Sequence, residues 1–139
     1  LVGVPEEMKK QLPERIISVG RTQNQQELAM LYSMADVFVN PTYADMFPTV
    51  NLEALACGTP VVTYRTGGSP EAIDENTGLI VEQGDVKGLA NSVKEVCSES
   101  RYLFAEACRD RAERYFNKEE RYNDYMTVYQ SVIGGGISG

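Results

Sequence analysis

The run Asp45-Met-Phe-Pro-Thr-Val-Asn-Leu-Glu53-Ala-Leu-Ala-Cys-Gly58-Thr-Pro60-Val-Val-Thr63 decides how this chain folds. Thr49 can cap a helix that ends at Gly58, a residue free to adopt the left-handed turn that closes helices. Pro60 just beyond forbids continuation. The apolar run Pro60-Val-Val-Thr-Tyr64 then reads as a buried strand. Within this helix-then-strand unit two carboxylates stand eight positions apart, Asp45 in the entering loop and Glu53 inside the otherwise apolar helix. A carboxylate drawn into an apolar helix is costly unless something pairs with it, and a ligand is one such partner.

Outward from this unit the same alternation repeats. Arg15-Ile-Ile-Ser-Val19, Asp36-Val-Phe-Val-Asn40 and Gly78-Leu-Ile-Val81 are further β-rich runs. Three of the four are near-continuous apolar stretches, as expected of parallel strands covered on both faces. Helical patterns lie between them. Asn24 can cap a helix through about Met34, with Leu28, Leu31, Tyr32 and Ala35 at helical spacing. Ser69-Pro70 opens a short helix through about Asp74. Asp85 begins another over Val86 to Ser98, and two more are expected near Arg101–Tyr115 and Lys118–Val132. Strands alternating with helices predict an α/β, Rossmann-like parallel sheet of about four strands with flanking helices. Residues 1–133 read as one domain and the glycine-rich residues 134–139 as a linker or appended tail.

Composition narrows the function. With 139 residues and 42% apolar content, the chain has room for one core. A net charge of −7 argues against nucleic acid or an anionic membrane as its partner. No apolar run approaches a membrane span, and no signal peptide is visible. Cys57, Cys97 and Cys108 form no C-x-x-C pair, which suggests neither a zinc site nor a disulfide framework and predicts a cytoplasmic setting. Histidine is absent, which removes a histidine-based triad. Acid–base chemistry falls to carboxylates, tyrosines or the substrate.

In open α/β sheets, ligands bind beyond the carboxyl ends of the strands. Here those ends lead into residues 20–26, 41–48, 65–70 and 82–85, the first three rich in polar residues and glycine. Each loop alone is explained by turn chemistry; three on one edge favour a polar ligand. Glu53 reads either as a carboxylate favoured by the helix dipole or as an acceptor for the two hydroxyls of a ribose-like diol. Asp45 alone reads as a turn residue. Backbone N–H groups between Met46 and Asn51, except at Pro48, enter a helix and suit an anion or sugar hydroxyls. Neither a G-x-G-x-x-G nor a P-loop spacing is present.

Taken together, "ADVFVNPTY", "FPTVNLEALACGTPVV", "GGSPEAI" and "TGLIVEQGD", in this order between about Ile16 and Val93, resemble one family. It is the C-terminal, nucleotide-sugar-binding domain of retaining glycosyltransferases of the GT-B fold, the large family 4 group. The signature there is a Glu, seven residues and a second Glu. Asp45 stands at the first position, one methylene short, and Glu53 at the second. The resemblance implies that Glu53 binds the ribose and that Asp45 approaches hydroxyls of the transferred sugar, so both are candidate catalytic residues. It implies donor contacts from Met46, Phe47, Pro48, Thr49 and Val50, with Arg21 and Thr22 flanking the base. It implies a nucleotide diphosphate sugar as substrate, no cofactor, and no metal in this domain. A basic pair that usually stabilises the departing diphosphate, and the N-terminal Rossmann domain that holds the acceptor, are expected upstream of Leu1. That N-terminal domain is the expected partner. The isolated chain is expected to be inert, and peripheral attachment of the parent to the cytoplasmic membrane face is compatible with the family.

Tyr122, Tyr125, Met126 and Tyr129 fall at helical spacing, and that face serves either core packing or self-association. Rival readings are a Rossmann-like module that binds a nucleotide without chemistry, and another GT-B enzyme such as an epimerase or a glycogen-synthase-like polymerase. A metal-dependent transferase of the other common fold needs Asp-x-Asp, and the sequence has none.

Overall fold

The computed structural model describes residues 1–44, 46, 49–116, 127, 128, 130 and 131. In chain order the elements are α1 (Glu6–Lys9), α2 (Gln25–Met34), β1 (Phe38–Asn40), α3 (Thr49–Ala56), β2 (Val61–Tyr64), α4 (Ser69–Ala72), β3 (Gly78–Val81), α5 (Val86–Ser98) and α6 (Arg101–Phe116). The three strands form a parallel sheet in the order β1-β2-β3. Val61, Val62 and Thr63 stand beside Phe38, Val39 and Asn40 on one side, and beside Gly78, Leu79 and Ile80 on the other.

β2 shows why its sequence is continuously apolar. All four of its residues are buried, and they alternate between two cores. Val61 joins Leu52, Leu55, Cys57, Ala72, Cys108 and Ala112 beneath α3, α4 and α6. Val62 and Tyr64 join Val81 and Val96 beneath α5 on the opposite face. A strand between two helical layers has no solvent face, so the alternation of a half-buried strand is erased. α3 is the most enclosed helix, with Asn51, Leu52, Ala54, Leu55 and Ala56 all buried.

The turn chemistry is explicit. Gly58 has φ +73°. Its N–H donates to Leu55 O at 2.9 Å, and Thr59 N–H donates to Ala54 O at 3.0 Å. These two bonds are the Schellman pair that satisfies the last carbonyls of a helix. Asn24 caps α2 by accepting from Glu27 N–H at 2.9 Å, while the Glu27 carboxylate accepts from Gln23 N–H at 2.8 Å. Asp85 caps α5 by accepting from Gly88 N–H at 2.8 Å.

Four differences from the sequence reading stand out. Among the described residues Arg15–Val19 is not a strand of the sheet: its end pairs in parallel with Leu1–Gly3, bridging Val19 to Val2, and the described sheet has three strands rather than about four. Its apolar side chains lack a strand of that sheet to pack on, and Ile17 is 81% exposed. α4 begins at Ser69 with Gly68 as its cap, one position earlier than Ser69-Pro70 suggests. α3 includes Thr49 as its first residue. The single-turn α1, which follows Pro5, has no apolar periodicity to announce it. The tyrosine face at 122, 125 and 129, with Met126, lies outside the described residues. Val128 packs against the α3 core cluster.

Candidate functional site at the carboxyl edge of the sheet

The loops that leave β1, β2 and β3 meet on one edge. Thr66 Oγ1, after β2, donates to Thr42 O after β1 at 2.9 Å. Gln83 Nε2, after β3, donates to Tyr43 O at 3.3 Å. Arg65 Nε and Glu82 Oε1 pair at 2.8 Å across the same rim. The rings of Tyr43 and Tyr64 meet edge to face, 5.7 Å between centroids. Parallel topology demands this convergence, because every strand runs the same way and delivers its exit loop to the same edge.

Glu53 sits one turn into α3, half-buried. Its Oε2 accepts a hydrogen bond from the hydroxyl of Tyr32 on α2, at 3.3 Å. Tyr32 is itself 7% exposed and packs edge to face on Phe38 of β1, with centroids 5.2 Å apart. The carboxylate is thus bonded to a tyrosine whose ring is fixed in the core. Thr49 is exposed at the head of α3, and Val50 turns half-buried into an apolar cavity beside β1. Met46 is 94% exposed. Arg21 is exposed and Thr22 half-buried in the segment between Val19 and α2. Asp45, Phe47 and Pro48 lie outside the described residues.

An amide pair joining the end of β1 to α3, half-buried at Asn40 and fully buried at Asn51, is not among the sequence candidates. Asn51, 0% exposed, accepts from Asn40 Nδ2 at 2.9 Å through its Oδ1. Among the described residues its own Nδ2 has no hydrogen-bond partner, nor has the buried Ser69 Oγ at the head of α4. Buried donors without acceptors are uncommon and costly. The available signal was an asparagine ending one apolar strand and another inside an apolar helix. Thr63 Oγ1 and Thr59 Oγ1 complete the scaffold, donating to Asn40 O at 2.9 Å and Tyr32 O at 2.6 Å.

Residues 1–99 match the family model described as glycosyl transferases group 1. The chain belongs to this family. This glycosyltransferase chain is 30% identical over 125 residues to N-acetyl-alpha-D-glucosaminyl L-malate synthase of Bacillus anthracis, a match covering 88% of the chain and 32% of that protein. It is 38% identical over 114 residues to D-inositol 3-phosphate glycosyltransferase of Saccharomonospora viridis, covering 80% of the chain and 26% of that protein. Among solved structures, sucrose-phosphate synthase of Thermosynechococcus elongatus superposes with a TM-score of 0.71 at 31% identity, covering 93% of the chain and 33% of that structure. The chain therefore spans about a third or less of these relatives' length. The α/β architecture is one half of a GT-B glycosyltransferase. No helix among the described residues is long and apolar enough to cross a membrane.

Proposed function

We propose that this chain is the donor-binding part of a retaining glycosyltransferase, which moves a sugar from a nucleotide diphosphate sugar to an acceptor hydroxyl. The observation that supports the proposal is Glu53 on α3, a half-buried carboxylate that accepts from the Tyr32 hydroxyl, in a chain of the group 1 glycosyltransferase family. Its carboxylate accepts the vicinal hydroxyls of the donor's ribose. Asp45 approaches hydroxyls of the transferred sugar. Backbone N–H groups from Met46 to Val50, Phe47 included, take sugar hydroxyls or phosphate oxygens, while Pro48 contributes shape only. Arg21 and Thr22 flank the base.

In the reaction, the bond from the anomeric carbon to the diphosphate oxygen breaks, and the acceptor oxygen bonds to that carbon on the same face. The acceptor's proton passes to the departing diphosphate, so no histidine base is required. Stabilising the charge that grows on that diphosphate is the main catalytic term. The cationic groups for it come from the segment after the first strand of this same domain in a longer, cytoplasmic parent, and the acceptor site from that parent's N-terminal Rossmann domain. The 139-residue chain alone is therefore inert. No resident cofactor is required.

The test is to supply the full-length parent with UDP-, GDP- and ADP-sugars and read the anomeric proton coupling of any product. Retained configuration supports the proposal. An inverted product, or sugar transfer by the 139-residue chain alone, contradicts it.

A further inference from the structure

Tyr43 is 62% exposed in the loop that leaves β1, at the carboxyl edge of the sheet. A single exposed aromatic needs no explanation by itself. This one, however, is anchored by both neighbouring exit loops. Its ring meets that of Tyr64, 2% exposed at the end of β2, at 76° with centroids 5.7 Å apart. Its carbonyl accepts from Gln83 Nε2 at 3.3 Å, and the preceding carbonyl, of Thr42, accepts from Thr66 Oγ1 at 2.9 Å. Its hydroxyl lies beside Gly84, 3.5 Å from where a Cβ on that residue would stand.

Edge-to-face packing sets the edge of one ring on the face of the other. Tyr64 therefore covers at most one face of the Tyr43 ring, and the high exposure leaves the rest of that ring in solvent. Planar polar side chains share the rim: Arg65 and Glu82, both exposed and paired at 2.8 Å, and the exposed Gln83. A fixed aromatic face bordered by such groups suits a ligand that is apolar on its faces and hydroxylated around its edge. A pyranose ring is built this way. Its axial C–H groups meet the electron-rich aromatic face, and its hydroxyls meet arginine donors and carboxylate or amide acceptors. A platform already held in place loses little freedom on binding.

We propose that Tyr43 is a stacking platform for the pyranose ring of a saccharide, with Arg65, Glu82 and Gln83 taking its hydroxyls. The inference deepens the proposed function and rests on that reading for its choice of a saccharide. Tyr43 stands two residues before Asp45 in the same loop, next in the chain to the proposed point of transfer. The ring has two sources, the sugar carried by the nucleotide or a separate saccharide. A nucleotide base also stacks on aromatic rings, and it is the rival occupant.

The experiment is saturation-transfer NMR on the full-length parent. The probes are the methyl pyranosides of glucose, galactose, mannose and N-acetylglucosamine, then UDP-, GDP- and ADP-glucose, then UDP, GDP and ADP. We expect the ring C–H protons of at least one methyl pyranoside or nucleotide sugar to be saturated. Tyr43→Ala should weaken that probe roughly 3- to 10-fold, as loss of one aromatic contact implies, and Tyr43→Trp should retain it. Weakening of a methyl pyranoside identifies a separate saccharide as the occupant. Weakening of a nucleotide sugar with its bare nucleotide unchanged identifies the donor's own sugar. Tyr102→Ala is the control and should change nothing. Tyr102 is 87% exposed at the head of α6, where Phe104 lies beside Gly78 at the opposite end of β3. Four results overturn the proposal: no saturated pyranose, unchanged affinity in Tyr43→Ala, equal loss in Tyr43→Trp, or equal weakening of bare nucleotides and nucleotide sugars. Bare nucleotides that bind while every pyranose fails leave the donor-binding reading standing, so the two failures are distinguishable.

Discussion

The carboxylate of Glu53 accepts from the hydroxyl of Tyr32, whose ring packs on Phe38 in the core. Tyr32→Phe deletes that hydroxyl and leaves the ring packing on Phe38 intact. We expect a stability loss of about 1 kcal/mol in denaturant titration, the usual net worth of such a bond. The cysteines give a second prediction at this scale. Burial pushes both Cys57 and Cys108 up to about 12 from the ordinary 9.0, whereas Cys97 is exposed. A thiol reagent at neutral pH is therefore expected to modify Cys97 and to reach the other two only on unfolding. Below pH 9 folded and unfolded chains both keep these protons, so stability is insensitive to the buried thiols. Between 9 and about 12 the unfolded chain releases them first, and stability falls with pH by up to about 1.4 kcal/mol per unit for each thiol. Denaturant melts in that range check the sign, with Cys57→Ala and Cys108→Ala variants expected to show a shallower fall.

Two glycines set the elements around the site. Gly58→Ala places a Cβ at φ +73° and is expected to cost about 1 kcal/mol by loosening the end of α3. At Gly78 an added Cβ overlaps the carbonyl oxygen of Val61 across the β2–β3 pair. Gly78→Ala should therefore cost more, about 1–3 kcal/mol or above, as β3 is pushed off β2. Thermal melts of the two variants test the ranking. Local chemistry of this sort is what made elements legible beforehand. α2 and α5 were readable from the asparagine and aspartate that cap them, and the end of α3 from Gly58 and Pro60. Arg15–Val19 was misread because an apolar run declares strand propensity but not whether a neighbouring strand is there to pair. The Tyr32–Glu53 bond joins residues 21 positions apart, and only the packing of α2 on α3 creates it, so Tyr32 read as a core residue alone. Asn51 went unremarked for the same reason, since its partner Asn40 belongs to another element.

For the molecule as a whole, the sheet is covered on both faces at β2, β1 has no second strand beside it among the described residues, and the chain spans about a third of its relatives. Family membership follows from segments spread along residues 1–99. The donor-site proposal reduces to one carboxylate and is open to one titration. Calorimetric or ligand-detected binding of UDP-, GDP- and ADP-sugars to the full-length parent should show saturable binding of at least one of them. Glu53→Ala should weaken it by about 1.5–3 kcal/mol, the worth of hydrogen bonds to a charged group, or roughly 10- to 150-fold in Kd. Equal affinity in the parent and the Glu53→Ala variant would contradict the account.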